Sequence, residues 1–336
     1  MNPNRHSASA LVIGGGVIGL FTAWRLLDAG FAVTVLEQGR IGGSASWAGG
    51  GILSPLPPWQ APAPVWALAM ESLAVYPAIA ADLRDATGID PEWTPSGMRV
   101  LEAPDHQMAL QWGEAVGLAV DGDEFTLSLP WVAQICSPRL LRAMQLYLSQ
   151  RGVQWLENRA IVDFEAHSGR VQSVRAADGM RHAGDAVVLC AGAWTGGLAA
   201  ALSWPVAVQP VRGQMLRFEA KPGLLEEIVL RGPHYLIPRR DGGILVGSTL
   251  EWTGFDTSTT ASARTLLFEA ACELLPPLRH CPVSHHWAAL RPGSDQGIPL
   301  IGAAPGFDNL YVNAGHFRNG ITLAPASARQ VVGLMG

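Results

Sequence analysis

The sequence predicts an α/β fold of two domains, one Rossmann-like and the other rich in β-structure. Three observations predict it. The chain has 336 residues, enough for about two domains of roughly 150 residues each. Residues 10–36 have the pattern of strand, glycine-rich turn, helix and strand. From Val206 onward, mainly strands are predicted by the hydrophobic alternation of residues 209–219, 235–239 and 244–249.

The N-terminal unit is defined by its hydrophobic pattern. Residues 10–13 predict a short buried strand, and residues 17–29 predict a helix that Gly30 ends. Residues 32–36 predict a second strand, directly followed by Glu37. This order, in fewer than 40 residues, is a complete unit of strand, turn, helix and strand, as in a βαβ unit.

Helices and strands alternate in the rest of the chain. Residues 65–87 predict a helix interrupted at Pro77. Ser137 is predicted as the N-cap of a helix with Pro138 in its first turn. Helices are also predicted at residues 260–275 and 319–334, and strands at residues 153–156, 160–164, 171–175, 186–189 and 310–313.

Composition excludes several classes of protein. Hydrophobic residues make up 49% and charged residues 15%, which excludes disorder as the main state. The net charge is −5 and there is no basic run, so a nucleic-acid partner is not expected. The longest run of low polarity, residues 8–24, contains several glycines and is too short for a spanning helix, so no membrane span is expected.

The four cysteines form no C-x-x-C pair, and they predict neither a zinc site nor a redox motif. Free thiols in a chain of this size fit a reducing cytoplasm. Cys281 lies near His280, His285 and His286, which leaves a metal site as an alternative. A polar segment between a helix and a strand is the preferred interpretation, because the spacing matches no standard metal site.

Gly14-x-Gly16-x-x-Gly19 has the spacing of a dinucleotide fingerprint, and it lies between the predicted strand and helix. The first glycine allows the tight turn, the second admits a pyrophosphate, and the third allows close packing of the helix. Glu37 ends the next strand, where it can accept hydrogen bonds from a ribose. The fingerprint does not separate NAD from FAD, but a second glycine-rich stretch at residues 42–51 favours FAD.

Five motifs together resemble the glycine oxidases of thiamine (thiazole) biosynthesis, within the D-amino-acid oxidase superfamily of FAD-dependent oxidoreductases. They follow the family's order and span nearly the whole chain. The motifs are VIGGGVIG at residues 12–19, SWAGGGILSP at 46–55, PVRGQM at 210–215, WAALRPG at 287–293 and GHFRNGI at 315–321.

The resemblance implies how the two domains are divided along the chain. A discontinuous FAD-binding domain is expected from residues 1–85, 136–205 and 299–336. A substrate-binding α+β domain is expected from residues 86–135 and 206–298, and a large mixed or antiparallel sheet is expected to form one side of its binding site. FAD is expected to be non-covalent, because the covalent-flavin positions of sarcosine oxidases have no matching cysteine or histidine here.

The resemblance also implies the site residues. The residues implied to bind the cofactor are Gly14, Gly16, Val17, Ile18, Gly19, Glu37, Gln38, Ala45, Ser46, Gly50, Gly51, Ile52, Val162, His316, Phe317, Arg318, Asn319, Gly320, Ile321 and Thr322. Arg291 matches the arginine that binds the substrate carboxylate, with Tyr235 and Arg318 beside it. No metal is implied.

Other roles are open for the same residues. Arg291 suits bidentate recognition of a carboxylate, and a surface or structural ion pair is the alternative. Tyr235 fits an ordinary half-buried position in a sheet, and Arg318 fits a helix cap. His316 resembles a catalytic histidine, but the resemblance makes it a residue of the loop beside the flavin.

The expected activity is oxidative deamination of glycine and other small amino acids, with O₂ and water giving a 2-oxo acid, ammonia and hydrogen peroxide. The imine formed on the way would supply thiazole synthesis. The alternatives are a D-amino-acid or sarcosine oxidase or dehydrogenase of the same fold, and a non-catalytic flavoprotein subunit. A cytoplasmic homo-oligomer is expected.

Overall fold

A computed structural model of the chain describes residues 8–335. The helices are α1 (Val17–Asp28), α2 (Ala45–Ala48), α3 (Ala63–Thr87), α4 (His106–Val116), α5 (Ser137–Gln150), α6 (Thr195–Ala200), α7 (Ala261–Leu274) and α8 (Gly320–Gly333). The strands are β1 (Ser9–Ile13), β2 (Ala32–Leu36), β3 (Ile52–Leu53), β4 (Met98–Leu101), β5 (Asp121–Gly122), β6 (Thr126–Leu129), β7 (Ala133–Gln134), β8 (Gln154–Leu156), β9 (Ile161–His167), β10 (Arg170–Ala176), β11 (Arg181–His182), β12 (Ala186–Leu189), β13 (Gln209–Glu219), β14 (Ile228–Arg231), β15 (His234–Pro238), β16 (Gly243–Gly247), β17 (Val283–Gly293), β18 (Leu300–Ala303) and β19 (Leu310–Ala314).

The first large sheet has six strands in the order β18-β19-β12-β1-β2-β8. All neighbours are parallel except β18 and β19. Ala10 and Val12 pack against the helices on one face, while Leu11 and Ile13 pack against β9 and β10 on the other. Because both faces are covered, β1 is a continuous apolar run and the strand pattern is easily recognised.

The second large sheet has eight strands in the order β17-β13-β16-β15-β14-β4-β6-β5. It is mixed, because β14 and β4 are parallel and the other neighbours are antiparallel. Helix α7 packs on one face through Leu267 and Ala271, against Leu216 and Phe218 of β13. The predicted fold class, a Rossmann-like part beside a large mixed sheet, is confirmed.

We propose that the two sheets mark the two domains. The strands of the six-stranded sheet lie within residues 1–85, 136–205 and 299–336, and those of the eight-stranded sheet lie within 86–135 and 206–298. The ends of the first range and of the third, residues 1–7 and 336, lie outside the described residues.

Two local predictions are wrong. Helix α3 continues through Pro77 instead of breaking there. The helix is fixed just before the proline, because Tyr76 is fully buried and its hydroxyl donates to the Ile321 carbonyl. Ser137 is the first residue of α5 rather than its N-cap, since Cys136 occupies the cap position. The Ser137 hydroxyl donates instead to the Gly49 carbonyl, at 2.8 Å.

Helix α3 has the length and apolar composition of a membrane-spanning helix. It also packs along α8: the Ala326 N–H donates to the Ser72 hydroxyl at 3.1 Å, and Glu71 forms an ion pair with Arg329. Core helices of folded domains meet the same length and composition criteria, and these contacts are typical of them.

Candidate active site

The turn between β1 and α1 has room for glycine alone at two fingerprint positions. Gly14 has a φ of +111°, and a Cβ there would lie 2.3 Å from the Cys190 carbonyl oxygen. A Cβ on Gly19 would lie 1.9 Å from the Gly14 carbonyl oxygen, so the helix could not start this close to the strand. The roles expected for the first and third glycines match this geometry.

The N-terminus of α1 faces an open cleft. The helix begins at Val17 without a side-chain cap and with no acidic residue in its first turn. The Val17 N–H donates to the Ser46 hydroxyl at 2.9 Å. A Cβ on Gly16 would lie 3.1 Å from that hydroxyl. A helix N-terminus that is preceded by a glycine, which has no side chain to block the approach, is suited to an anion such as a pyrophosphate.

Glu37 is buried directly after β2, and its carboxylate stabilises the turn between β1 and α1. One carboxylate oxygen accepts from the Gly15 N–H at 2.7 Å, and the other accepts from the Gly39 N–H at 2.9 Å. Each carboxylate oxygen has lone pairs left for a further donor, such as a ribose hydroxyl.

We name this space, between the β1–α1 turn and Glu37, the fingerprint cleft. The predicted cofactor residues that line it are Gly14, Gly16, Glu37, Gln38, Ala45, Ser46 and Val162. A backbone cradle at one end and a carboxylate at the other fit the pyrophosphate and ribose of FAD, so the residues present fit the expected cofactor.

A second space, the arginine cavity, lies between α2, the start of α8 and the eight-stranded sheet. The predicted site residues that line it are Ala45, Gly50, Gly51, Ile52, Tyr235, Arg291, Arg318, Asn319 and Ile321. Ala45 lines both spaces, so the two adjoin at α2. The structure therefore brings the predicted flavin-side and substrate-side residues to one cavity.

The remaining predicted residues lie behind the lining. They are Val17, Ile18, Gly19, His316, Phe317, Gly320 and Thr322. The His316 ring is buried and neither of its nitrogens has a hydrogen-bond partner. Burial lowers the pKa of His316 to about 3, so the ring is neutral. Thr322 donates from its hydroxyl to the Ile52 carbonyl at 3.1 Å, which ties α8 to the cavity wall.

Arg291, on β17, lies flat across the neighbouring strand β13. The register pairs Gly213 with Ala289, and a Cβ on Gly213 would lie 2.0 Å from Nη1 of Arg291. The guanidinium donates to the Thr249 carbonyl at 3.1 Å and to the Ser248 hydroxyl at 2.7 Å. An arginine has five N–H donors, so others remain for a ligand.

Tyr235 faces the same cavity from β15. A Cβ on Gly247 of the adjacent strand would lie 2.5 Å from its ring, so this glycine makes room for the tyrosine. Burial lowers the pKa of Arg291 from its ordinary value, and Arg318 lowers it further, while Tyr235 acts in the opposite direction. Arginine nevertheless stays protonated at neutral pH.

The charge of the arginine cavity is uncompensated. Among the described residues, its lining contains Arg291 and Arg318 but no aspartate, glutamate, histidine or cysteine. Arg318 is exposed, with its guanidinium 5.4 Å from the Phe317 ring centroid. The cavity is therefore suited to an anionic ligand, and it offers no conventional general base apart from Tyr235.

Several residues that shape the cavity were not predicted as site residues. Carbonyls of the glycine-rich segment are held by Ser137, by Arg239, which donates to Gly50 at 2.7 Å, and by Trp287, which donates to Ala48 at 3.1 Å. Ser248 and Gly213 were also missed as site residues. Gly213 lies in a motif that carries the resemblance, and that motif was the one available signal for it.

No metal site is found in the part of the chain that the structure describes. Within residues 8–335, no group of three or more histidine, cysteine, aspartate or glutamate side chains is arranged to hold an ion. His280 ends a 3₁₀ turn, Cys281 follows it, and His285 and His286 lie within β17.

Comparison with known proteins identifies the family of the chain. The family described as FAD dependent oxidoreductase (DAO) matches residues 9–334. The chain is 42% identical to the glycine oxidase of Pseudomonas putida, over 98% of this chain and 94% of the relative. It is 31% identical to the bifunctional protein ThiO/ThiG of Synechocystis sp., over 98% of this chain and 52% of that longer protein.

A solved structure gives the same result for the fold. The glycine oxidase of Geobacillus kaustophilus superposes with a TM-score of 0.93 at 27% identity, covering 98% of this chain and 95% of the other. The matched residues include the strands of both large sheets, and the chain belongs to the DAO family of FAD-dependent oxidoreductases.

Proposed function

We propose that the protein catalyses the FAD-dependent oxidative deamination of glycine and other small amino acids. The overall reaction consumes the amine, O₂ and water, and it yields a 2-oxo acid, ammonia and hydrogen peroxide. The observation that carries the proposal is the uncompensated pair Arg291 and Arg318 in the cavity that the glycine-rich segment also lines. The similarity to glycine oxidases supports glycine as the substrate.

Arg291 is the group that holds the substrate carboxylate. Two of its N–H donors are directed to Ser248 and Thr249, which leaves the guanidinium fixed in its plane. A fixed guanidinium can bind a carboxylate through two parallel hydrogen bonds and so set the direction of the α-carbon. Tyr235, from β15, and Arg318, from the loop before α8, also line the cavity and complete the polar part of the pocket.

The rest of the cavity lining is mostly apolar. Ile52, Met215 and Leu230 belong to this part of the lining. FAD, when bound, supplies the acceptor for the hydride that leaves the α-carbon. Loss of hydride from a neutral amine needs no protein base, which agrees with a lining that lacks a carboxylate and a histidine.

The cofactor assignment is part of this proposal. The backbone at Gly14 and Gly16 with the start of α1 would hold the pyrophosphate, and Glu37 would hold the ribose. The segment Gly50–Ile52 and the residues Arg318–Ile321 would line the flavin. The residues behind the lining, His316 among them, support these segments rather than contact the substrate.

A related activity on a D-amino acid or sarcosine is the second candidate. The apolar side chains Met215, Leu230 and Pro233 line the cavity and offer apolar contacts to a substrate larger than glycine. The similarity to a protein named ThiO/ThiG supports the supply of the imine to thiazole formation in thiamine biosynthesis. The four cysteines are free, which agrees with a cytoplasmic location. The homo-oligomeric state stays a prediction.

FAD is expected to leave the protein intact when the protein is denatured. Cys190 is the cysteine that lines the fingerprint cleft, and burial raises the pKa of its thiol to about 12, so it is a poor nucleophile. After acid precipitation, the flavin should be found in the supernatant with the absorbance of free FAD. A pellet that stays yellow would contradict the non-covalent assignment.

Gly16→Val is expected to abolish FAD binding. The branched side chain would press on the Ser46 hydroxyl and occupy the space in front of α1. Gly302→Val is the matched control, because Gly302 lies on β18 of the same sheet and a Cβ there would meet no atom within 4 Å. The measurement is the flavin-to-protein absorbance ratio. Full flavin content in a folded Gly16→Val protein would mean that the pyrophosphate lies elsewhere.

Arg291→Ala is expected to lower kcat/KM for glycine at least about tenfold and up to a hundredfold or more. Each charge-assisted hydrogen bond contributes roughly 1.5–3 kcal/mol, and about 1.4 kcal/mol corresponds to a factor of ten. Arg291→Lys should recover only part of the loss, since an ammonium lacks the planar fork. Flavin content should stay near that of the unmodified protein.

The control for Arg291→Ala is a primary amine without a carboxylate, such as ethylamine. Its slow turnover should hardly change in the variant. Equal losses for glycine and for the amine would show that Arg291 supports the fold or the cofactor, and the carboxylate assignment would be withdrawn.

A further inference from the structure

The strand that carries Gly213 has a second, polar face. Successive side chains of a strand point to opposite sides, so Gly213 and Met215 face the arginine cavity while Arg212 and Gln214 face away from it. Both of these polar side chains are buried, with exposures of 4% and 0%. Buried polar groups of this kind need partners, and their partners lead back to the cavity.

Arg212 is paired with Glu251 through both side chain and main chain. Its Nη2 and Nε donate to one carboxylate oxygen of Glu251, at 2.6 and 3.2 Å. The Arg212 N–H donates to the Glu251 carbonyl at 2.8 Å, and the Glu251 N–H donates to the Arg212 carbonyl at 2.9 Å. Asp256 accepts from the remaining end of the guanidinium. These bonds hold Glu251 against Arg212 of β13.

The other carboxylate oxygen of Glu251 holds the segment that follows β16. It accepts from the Thr249 hydroxyl at 2.5 Å and from Nε2 of Gln214 at 2.8 Å. The Thr249 hydroxyl in turn accepts from the Gln214 N–H at 2.9 Å. Burial raises the pKa of Glu251, but hydrogen bonds from Thr249, Arg212 and Gln214 outweigh burial and keep it below its usual value. The carboxylate is therefore ionised at neutral pH.

Thr249 connects this network to the cavity. Its carbonyl accepts from Nη1 of Arg291 at 3.1 Å, and the hydroxyl of the preceding residue, Ser248, accepts from Nη2 at 2.7 Å. The path is continuous, from Arg212 through Glu251 and Thr249 to Arg291. Each link is a hydrogen bond, and the only charged partner between the two arginines on this path is Glu251.

We propose that Glu251 is a positioning residue for substrate recognition: held by Arg212, it fixes Thr249 and so orients the Arg291 guanidinium for a carboxylate. The proposal rests on the proposed function, because it assumes that Arg291 binds the substrate carboxylate. The network lies on the reverse face of the sheet and does not touch the arginine cavity.

A purely structural role is the competing explanation. Gln214 also accepts from the Thr260 N–H at 3.0 Å, next to the start of α7, and it contacts His286 at 3.0 Å. On that explanation the network stabilises the packing of α7 on the sheet. Loss of Glu251 would then lower the thermal stability and leave the recognition of carboxylates unchanged.

The test uses the FAD-loaded enzyme and acetate, a carboxylate that has no amine. Acetate binding is followed by the change in flavin absorbance at constant ionic strength, and glycine kinetics are measured beside it. In Glu251→Gln, the acetate Kd and the glycine KM should both rise about tenfold, while kcat stays within about twofold and flavin content is unchanged. Thr249→Val, which removes the hydroxyl and with it the hydrogen bonds to Glu251 and from the Gln214 N–H, should give a similar change.

Glu219→Gln is the matched control. Glu219 lies on β13, the strand of Arg212 and Gln214, and is ion-paired with Arg217, and no hydrogen bond among the described residues joins it to Arg291. This variant should bind acetate as the unmodified protein does. If Glu251→Gln fails to fold, Thr249→Val carries the test with the same control, because the isosteric valine leaves the Glu251–Arg212 pair in place.

A double-mutant cycle separates positioning from general stability. If Glu251 acts through Arg291, Glu251→Gln should cause no further loss of acetate affinity when Arg291 is already alanine. An equal loss in both backgrounds, or no loss in either variant of the network, would overturn the inference. If Arg291→Ala itself leaves acetate binding unchanged, the carboxylate assignment of the proposed function fails, and the inference fails with it.

Discussion

A guanidinium removed from water without an anion beside it is unfavourable, and the arrangement around Arg291 follows from that constraint. The arginine cavity contains two arginines and, among its described lining residues, no carboxylate. A glycine is required at position 213 so that Arg291 can lie across β13, and the segment after β16 must present a hydroxyl and a carbonyl to it. Its charge is then left for an anionic ligand.

Each of the two large sheets contributes a different part of the site. The six-stranded sheet supplies the glycine turn and the N-terminus of α1, and the eight-stranded sheet supplies Arg291 and Tyr235. Between them lies the glycine-rich segment after α2. Its carbonyls accept hydrogen bonds from Ser137 on one side and from Arg239 and Trp287 on the other. The segment is thus fixed from both sides, with its glycines facing the cavity.

Local patterns predicted the parts of the structure that local forces determine. The β1–α1–β2 unit was predictable because both faces of β1 are covered and because Gly14 and Gly19 have no room for a side chain. Long-range contacts account for the rest. Pro77 does not break α3, because the preceding residue, Tyr76, is hydrogen-bonded to Ile321 of α8. The Ser137 hydroxyl donates to the Gly49 carbonyl and does not cap α5. The contacts of Ser248 and Glu251 depend on the pairing of strands that are far apart in sequence. The spacing of residues along the chain does not predict that pairing.

The central claim is that a small amino acid reduces the flavin from the arginine cavity, and anaerobic titration tests it most directly. Glycine is added without oxygen to the purified, FAD-loaded protein. The absorbance band of the oxidised flavin, at about 450 nm, is followed during the titration. We expect the band to bleach with about one equivalent of glycine per flavin and to return when oxygen is admitted. A band that is unchanged by glycine, sarcosine and small D-amino acids, in a protein that binds FAD fully, would contradict the account.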